Sequence, residues 1–485
     1  MSSQLTFNRR MFILINGPGT LPGGINFAVA EILLSCRALY MKILDAVIQR
    51  SMWRSVFHAN DGHSTSRCCL LYSIMAQAVV NGLTTGVFYS GYLGSYGIDI
   101  VGISVLTLLP HAVSLFSLLS PSILERFSRR KTILTVSRIL FYVINILGTS
   151  LLPILVTGQK ERMMGLIAII FAANTINALT VSGYSAWHMP YIDKTVRSGY
   201  FTATALVSTV FSGVFSVAAG LVTDSFTGEA RQTAFLVSRL IAFLIALLDV
   251  YFLQKPPEPV YQRSSEKHPS LIQTLTLPFR CRKFMLAMSV YFLLTFIGNL
   301  TVSVIHTWLV QDVRVSYSYI SAVNLCNMFF ILPTSIFWRK VMAKRGTFIT
   351  LSLAIGFSTP ALFIHALMTH ENYLIVMLLV KLIQYALSLG SSITNSNLIY
   401  LALPEEDRTC YLTFYQILGS AGSLLGMSIG TWVVAAMGDS AMTLFGFSFT
   451  SVPVLLLLQT VLYFLLVPYI LRVGRELEPE YIKRT

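Results

Sequence analysis

Residues 99 to 157 read DIVGISVLTLLPHAVSLFSLLSPSILERFSRRKTILTVSRILFYVINILGTSLLPILVT, two apolar runs separated by the loop Glu125-Arg126-Phe127-Ser128-Arg129-Arg130-Lys131. Each run exceeds the roughly 20 residues that an α-helix needs to cross a hydrocarbon core of about 30 Å. The loop between them carries four cations, Arg126, Arg129, Arg130 and Lys131. Two membrane-spanning helices joined on the cytoplasmic side satisfy both observations.

Outward from this hairpin the pattern repeats. Apolar stretches cover 68–92, 99–124, 132–157, 163–187, 198–223 and 232–253, then 284–310, 316–337, 347–369, 372–398, 409–437 and 442–470. A mean hydropathy of +0.68 with 12% charged residues excludes a soluble globular class. Pro110, Pro153, Pro333 and Pro453 lie within or near spans, where neighbouring helices re-satisfy the freed backbone groups. The fold class expected is an all-α membrane protein of twelve transmembrane helices.

Lys and Arg alternate between the loops. One side collects 28 of them and the other only Lys160, Arg162, Arg231 and Arg314, while Arg138, Arg239 and Lys381 fall inside spans. This asymmetry predicts a multi-pass protein with both termini cytoplasmic. The formal charge of +14 is therefore a topology signal. No soluble domain remains to carry a basic face for nucleic acid. The six cysteines, Cys36, Cys68, Cys69, Cys281, Cys326 and Cys410, fall on the cytoplasmic side or within spans and read as reduced thiols. None has metal-ligand spacing, and no metal or cofactor is expected.

The chain divides into an N-terminal cytoplasmic or interfacial segment (1–66), a six-helix bundle (67–253), a central loop (254–283), a second six-helix bundle (284–472) and a tail (473–485). In the first segment, Glu31, Arg37, Lys42 and Asp45 interrupt the apolar run, which disfavours a thirteenth span. A surface-lying helix from about Asn26 to Arg50 is the expectation, and a start at Met41 or Met52 is the alternative. The two bundles share features in order. Pro190, Asp193, Arg197 and Tyr200 enter span 5, and Pro404, Asp407, Arg408 and Tyr411 enter span 11; Arg197 to Arg408 and Tyr200 to Tyr411 share an offset of 211. Such recurrence is expected of an internal repeat.

Over residues 67 to 472 the chain resembles the major facilitator superfamily. That family's loop between spans 2 and 3 follows G-x-x-x-D-R-x-G-R-[RK]-[RK]. The run Pro121 to Lys131 matches it in the acid Glu125 and in the basic positions, with Pro121 and Ser128 in place of the glycines. The resemblance implies two six-helix halves around a central cavity lined by spans 1, 4, 7 and 10. It also implies a conformational gate in the cytoplasmic loops, with Glu125, Arg126, Arg129, Arg130, Asp193, Arg197, Asp407 and Arg408 as its residues. From the residues alone, a carboxylate such as Glu125 can pair with a cation or a helix N-terminus and release when the halves rock. The same cations also serve as anchors at anionic lipid heads.

Polar residues at helical spacing mark the candidate cavity. Span 1 carries Ser73, Gln77, Asn81 and Thr84; span 4 carries Asn174, Asn177, Thr180 and Tyr184; span 7 carries Thr295, Asn299, Ser303 and His306; span 10 carries Lys381, Gln384, Ser388, Ser391 and Asn395. Each set shares one helix face, and polar groups in hydrocarbon face a bundle interior or a wet cavity. Interhelical hydrogen bonding is the plainer reading of any single stripe. Gln77, Asn81, Asn177, Tyr184, Asn299, His306, Lys381 and Gln384 are the expected substrate-lining residues. Lys381 lies about 13 Å along span 10, while Asp99, Asp224 and Asp249 sit toward span ends. An unpaired buried ammonium either loses its proton or finds an anion, and a substrate carboxylate or phosphate would be that anion; snorkelling to the interface or bonding helix-end carbonyls is the plainer alternative for Lys381. Arg138 and Arg239 are expected to snorkel to the interface.

The resulting expectation is secondary or facilitative transport of a small organic solute, anionic at one group, across the plasma (inner) membrane by a monomer. Facilitated diffusion, anion exchange and proton coupling through His306 all fit. A multidrug antiporter of the same fold and a non-transporting receptor or scaffold are the alternatives. An intramembrane enzyme would need a nucleophile, base or metal cluster that the spans lack, and no Walker-type run is present for ATP-driven transport.

Overall fold

The hairpin over 99–157 folds as its sequence dictates, but neither arm is a uniform α-helix. Span 2 runs as α-helix over Ile100–Val113, tightens to a 3₁₀ turn over Ser114–Leu119 and ends at Leu124. Span 3 starts at Lys131, widens to a π-turn over Val143–Gly148 and resumes over Thr149–Leu155. The computed structural model of the chain describes residues 56–57, 62–124, 127, 129–192, 196–258, 276–401, 408–438, 440–444 and 447–482. The helix expected over 26–50 lies outside them.

Among the described residues, eleven helices are long and apolar enough to cross a membrane. Besides spans 2 and 3 they are span 1 (Ser64–Thr84 with Gly86–Ser95), span 4 (Gln159–His188), span 5 (Arg197–Asp224) and span 6 (Gly228–Leu253). The second half supplies span 8 (Tyr317–Leu325 with Asn327–Arg345), span 9 (Thr347–Ala366), span 10 (Tyr373–Leu401), span 11 (Arg408–Met437) and span 12 (Ser451–Leu477). A short antiparallel ribbon, β1 (Met442–Leu444) with β2 (Phe447–Phe449), sits between the last two.

The seventh stretch departs from the expectation of twelve continuous helices. It forms Arg282–Gly298, unwinds over 299–304 and resumes as Ile305–Gln311. The β-branched run Thr301, Val302 and Val304 follows Gly298 and Asn299, a poor sequence for helix propagation. Neighbours satisfy the backbone and hydroxyl groups that the break frees, the condition for irregular backbone at membrane depth. Gln459 of span 12 donates to the Ile297 carbonyl at 2.9 Å and accepts from the Thr301 hydroxyl at 3.2 Å. Ser104 of span 2 donates to the Ser303 carbonyl at 3.3 Å, and the Ser303 hydroxyl meets Thr431 of span 11 at 3.2 Å. Span 1 breaks in the matching place, where Thr85 is extended and Gly86 has φ +59°, a conformation that favours glycine.

Helix ends also repeat between the halves. Glu258, just past span 6, accepts from the amides of Arg130 and Lys131 at the start of span 3. Glu478, just past span 12, accepts from Thr347 and Phe348 at the start of span 9, at 2.8 and 3.2 Å. In both cases the residue in the cap position makes no side-chain cap bond of its own, and a carboxylate just past the last span of the same half completes the end. The segment beyond span 6 is held further by Trp187 and Tyr191, both donating to the Pro257 carbonyl.

The halves meet through spans 5 and 8, spans 2 and 11, and the second segments of spans 1 and 7. Among the described residues no comparable packing joins spans 4 and 10. Hydrogen bonds between the halves lie near mid-membrane or toward the face opposite the basic loops: Asp224 with Tyr317 and Ser318, Ser104 with Ser303, and Ser114 with Ser420. The structure is thus closed on the face opposite the basic loops.

Candidate functional site

The three cations placed inside spans by the sequence have different surroundings. Arg138 does not snorkel. Its Nε donates to Asp249 of span 6 at 3.0 Å, and its guanidinium lies over the rings of Tyr142 and Tyr184 at 4.9 and 5.5 Å. Asp249 is 0% exposed and also accepts from Ser73 of span 1 and Tyr142 of span 3, each at 2.5 Å. A carboxylate with one ionic and two hydroxyl donors is fully compensated. Asp249 had read as a span-end residue. The signal that could have found the pair is that Asp249 and Arg138 lie near the same membrane face, four residues before the end of span 6 and seven after the start of span 3.

Arg239 is 3% exposed and also stays inside. Nε donates to Ser150 Oγ at 2.6 Å and Nη2 to Thr149 Oγ1 at 2.5 Å, immediately after the π-turn of span 3. The rings of Tyr92 and Tyr89 lie under the guanidinium at 4.9 and 5.9 Å, so cation–π attraction replaces a counter-ion. Tyr92 in turn donates to the Ser150 carbonyl at 2.5 Å.

Lys381 differs from both. It is half-buried in span 10, and it has no hydrogen-bond or ion-pair partner among the described residues. The only acid within the described spans of the second half is Glu476, in the last turn of span 12. Two histidines lie within the spans of this half, His306 in the first turn after the break in span 7 and His365 near the end of span 9. Each histidine has a buried ring nitrogen without a partner among the described residues, Nδ1 of His306 and Nε2 of His365. His365 stands edge-on to Trp308 at 6.0 Å, and a Cβ at Gly86 would lie 3.7 Å from His306 Nε2. His306 therefore stands where the breaks in spans 1 and 7 meet, and His365 packs on Trp308 in the segment of span 7 that follows the break. The position of His365 was not legible, since a histidine closing an apolar helix is unremarkable in sequence.

The other expected lining residues divide. Gln77, Asn177 and Gln384 are half-buried, and Asn81 is exposed. Asn299 donates to Thr295 at 2.7 Å and to Ser423 of span 11 at 3.2 Å, holding the break. Tyr184 donates to the Leu134 carbonyl at 2.9 Å and tightens spans 3 and 4. Of the expected gate, Glu125, Arg126, Asp193 and Asp407 lie outside the described residues, as do the side chains of Arg197 and Arg408. Arg129 is exposed, and Arg130 donates through Nε to Phe127 at 3.3 Å and through its amide to Glu258.

Eleven membrane-length helices among the described residues, with a further apolar stretch unwound over 299–304, have a counterpart among known proteins. A family model described as the Major Facilitator Superfamily matches residues 68–427. The chain belongs to the major facilitator superfamily. No curated protein matches it. Solved structures of similar fold include a bacterial metal transporter, with TM-score 0.61 and 12% identity over 84% of this chain and 98% of that one. A bacterial homologue of the iron transporter ferroportin in an inward-facing state gives 0.60 and 14% over 85% and 98%. A variant of the nucleoside transporter NupG gives 0.58 and 12% over 84% and 99%. At such identities the likeness is one of fold. As a member of the superfamily the chain is a multi-pass membrane protein with a transporter's architecture, and its cargo follows from its own side chains.

Proposed function

We propose that this protein is a secondary transporter of a small organic anion, which it moves across the plasma membrane by alternating access. The bundles 67–253 and 284–472 act as the two rocking bodies, with both termini in the cytoplasm on the side of the basic loops. One observation carries the substrate class: Lys381 is a half-buried cation without a partner among the described residues, in a half whose only described span acid is Glu476 at the end of span 12. A charge in that position is stabilised when a substrate carboxylate or phosphate arrives. His306, beside the break in span 1, would add a hydrogen bond to the anion. Gln77, Asn81, Asn177 and Gln384 line the cavity, and the loop residues Glu125, Arg126, Arg129, Arg130, Asp193, Arg197, Asp407 and Arg408 form the gate on the basic face. Facilitated diffusion, anion exchange and proton coupling at His306 are the modes compatible with this site.

The test is thermal stability of the detergent-solubilised protein against anionic, neutral and cationic metabolites, in wild type and Lys381→Ala. A ligand at 100 times its Kd stabilises by about 2.7 kcal/mol. Anions should raise Tm in wild type alone. Stabilisation by cations or neutral solutes that persists in Lys381→Ala would overturn the anion reading in favour of an exporter or a neutral-solute carrier, and binding without flux in vesicles would indicate a receptor.

A further inference from the structure

The start of span 8 lacks a cap from its own half. Ser316 occupies the cap position with extended backbone, yet its side chain makes no cap bond. The free amides are taken by Asp224, the last residue of span 5 in the other half: Oδ1 accepts from Tyr317 at 3.0 Å and Oδ2 from Ser318 at 2.8 Å. A bidentate carboxylate on two terminal amides satisfies both donors and complements the positive end of the helix. The caps described for spans 2, 3 and 9 stay within a half. Span 2, the counterpart of span 8 in the first half, is capped by its own Asp99, which accepts from Gly102 at 3.1 Å. Spans 3 and 9 take theirs from Glu258 and Glu478 of the same half.

Two independent contacts surround this crossing. Gly220, one turn before Asp224, abuts span 8 so closely that a Cβ would lie 2.6 Å from the Ser318 nitrogen and 2.7 Å from its Cα. The Tyr317 ring reaches back into the first half, stacked on Phe88 of span 1 at 5.8 Å and edge-on to Phe235 of span 6 at 5.3 Å. All three contacts lie on the face opposite the basic loops, and all three must break if that face opens.

We infer that Asp224 is the latch that holds the halves closed on this face, by capping a helix of one half with a carboxylate of the other. The inference rests on the alternating-access reading. A carboxylate at a helix end beside the membrane surface passes to water when the halves part, so the contact favours the closed state without trapping it. Only Gly220 lets span 5 approach closely enough for the carboxylate to reach both amides. Asp224 acts on the conformational equilibrium and touches no substrate.

Distances between spin labels on the two halves test this. Exposed Glu229, at the start of span 6, and exposed Thr369, between spans 9 and 10, both lie on the closed face. Each is changed to Cys in full-length protein whose six native cysteines are serine. Wild-type Asp224 should give one dominant short distance. Asp224→Ala should raise the ratio of open to closed populations about fivefold, the effect of losing a typical helix cap. Asp224→Asn, which keeps the shape and loses the charge, should fall between, and Asp224→Glu should restore the closed population. An unchanged distribution in folded Asp224→Ala and Asp224→Asn would overturn the latch, including the case in which Tm falls while the distances stay fixed. Because no substrate enters the measurement, a failed latch is distinct from a failed anion reading. A distribution that never shows a second population, in any variant or with ligand, would count against alternating access itself.

Discussion

The first half gives Arg138 an acid and Arg239 hydroxyls and rings, whereas the second half leaves Lys381 without a partner among the described residues. Arg138 has Asp249, two hydroxyl donors that share that carboxylate, and two aromatic rings. Arg239 has two hydroxyls and two tyrosine rings. Lys381 has neither an acid nor a hydrogen bond among the described residues. A compensated charge ties helices together, and an uncompensated one lowers stability unless a ligand supplies the missing partner. The contrast therefore separates a bundle stiffened by its polar groups from one whose polar groups await something.

Mutations can break that contrast or sharpen it. Asp249→Ala leaves Arg138 buried without an anion and should destabilise the protein by about 3–5 kcal/mol in a thermal melt. Replacing both partners, Arg138→Met with Asp249→Leu, should recover most of that loss. Lys381→Met should leave ligand-free stability within about 1 kcal/mol of wild type and abolish the roughly 2.7 kcal/mol of stabilisation from a saturating anion. If Lys381→Met were as damaging as Asp249→Ala without ligand, the lysine would be structural and the contrast would collapse. Arg239→Met removes two charge-assisted bonds and two ring contacts, and a loss of about 2 kcal/mol is expected. The smallest effects belong to Glu258→Gln and Glu478→Gln, about 1 kcal/mol each. Equal losses on melting would show that the two halves are sealed alike and differ only in how they treat charge.

The fold was largely legible because it follows from length, hydropathy and the alternation of basic loops, all of them local. What the sequence hid is long-range. Ser73 shares a helical stripe with Gln77 and Asn81, yet it binds Asp249, 176 residues away. Arg138 and Arg239 looked like snorkelling side chains because their partners lie in other spans. The unwinding at 299–304 was partly legible, since Gly298, Asn299 and the β-branched residues after them weaken a helix; its stability depends on Gln459 and Thr431 far along the chain. Asp224 read as an ordinary span-end acid because nothing near it in sequence announces span 8.

The matched caps bear on how the protein is made. Span 3 has no acid of its own at its start and is completed only when Glu258 arrives, 127 residues after Lys131. Span 9 is completed in the same way by Glu478, 131 residues after Thr347. During synthesis each bundle is therefore finished by the residues that follow its own last helix. The first can close on itself before any of the second has left the ribosome, and the loop between them begins where the clasp of the earlier body ends.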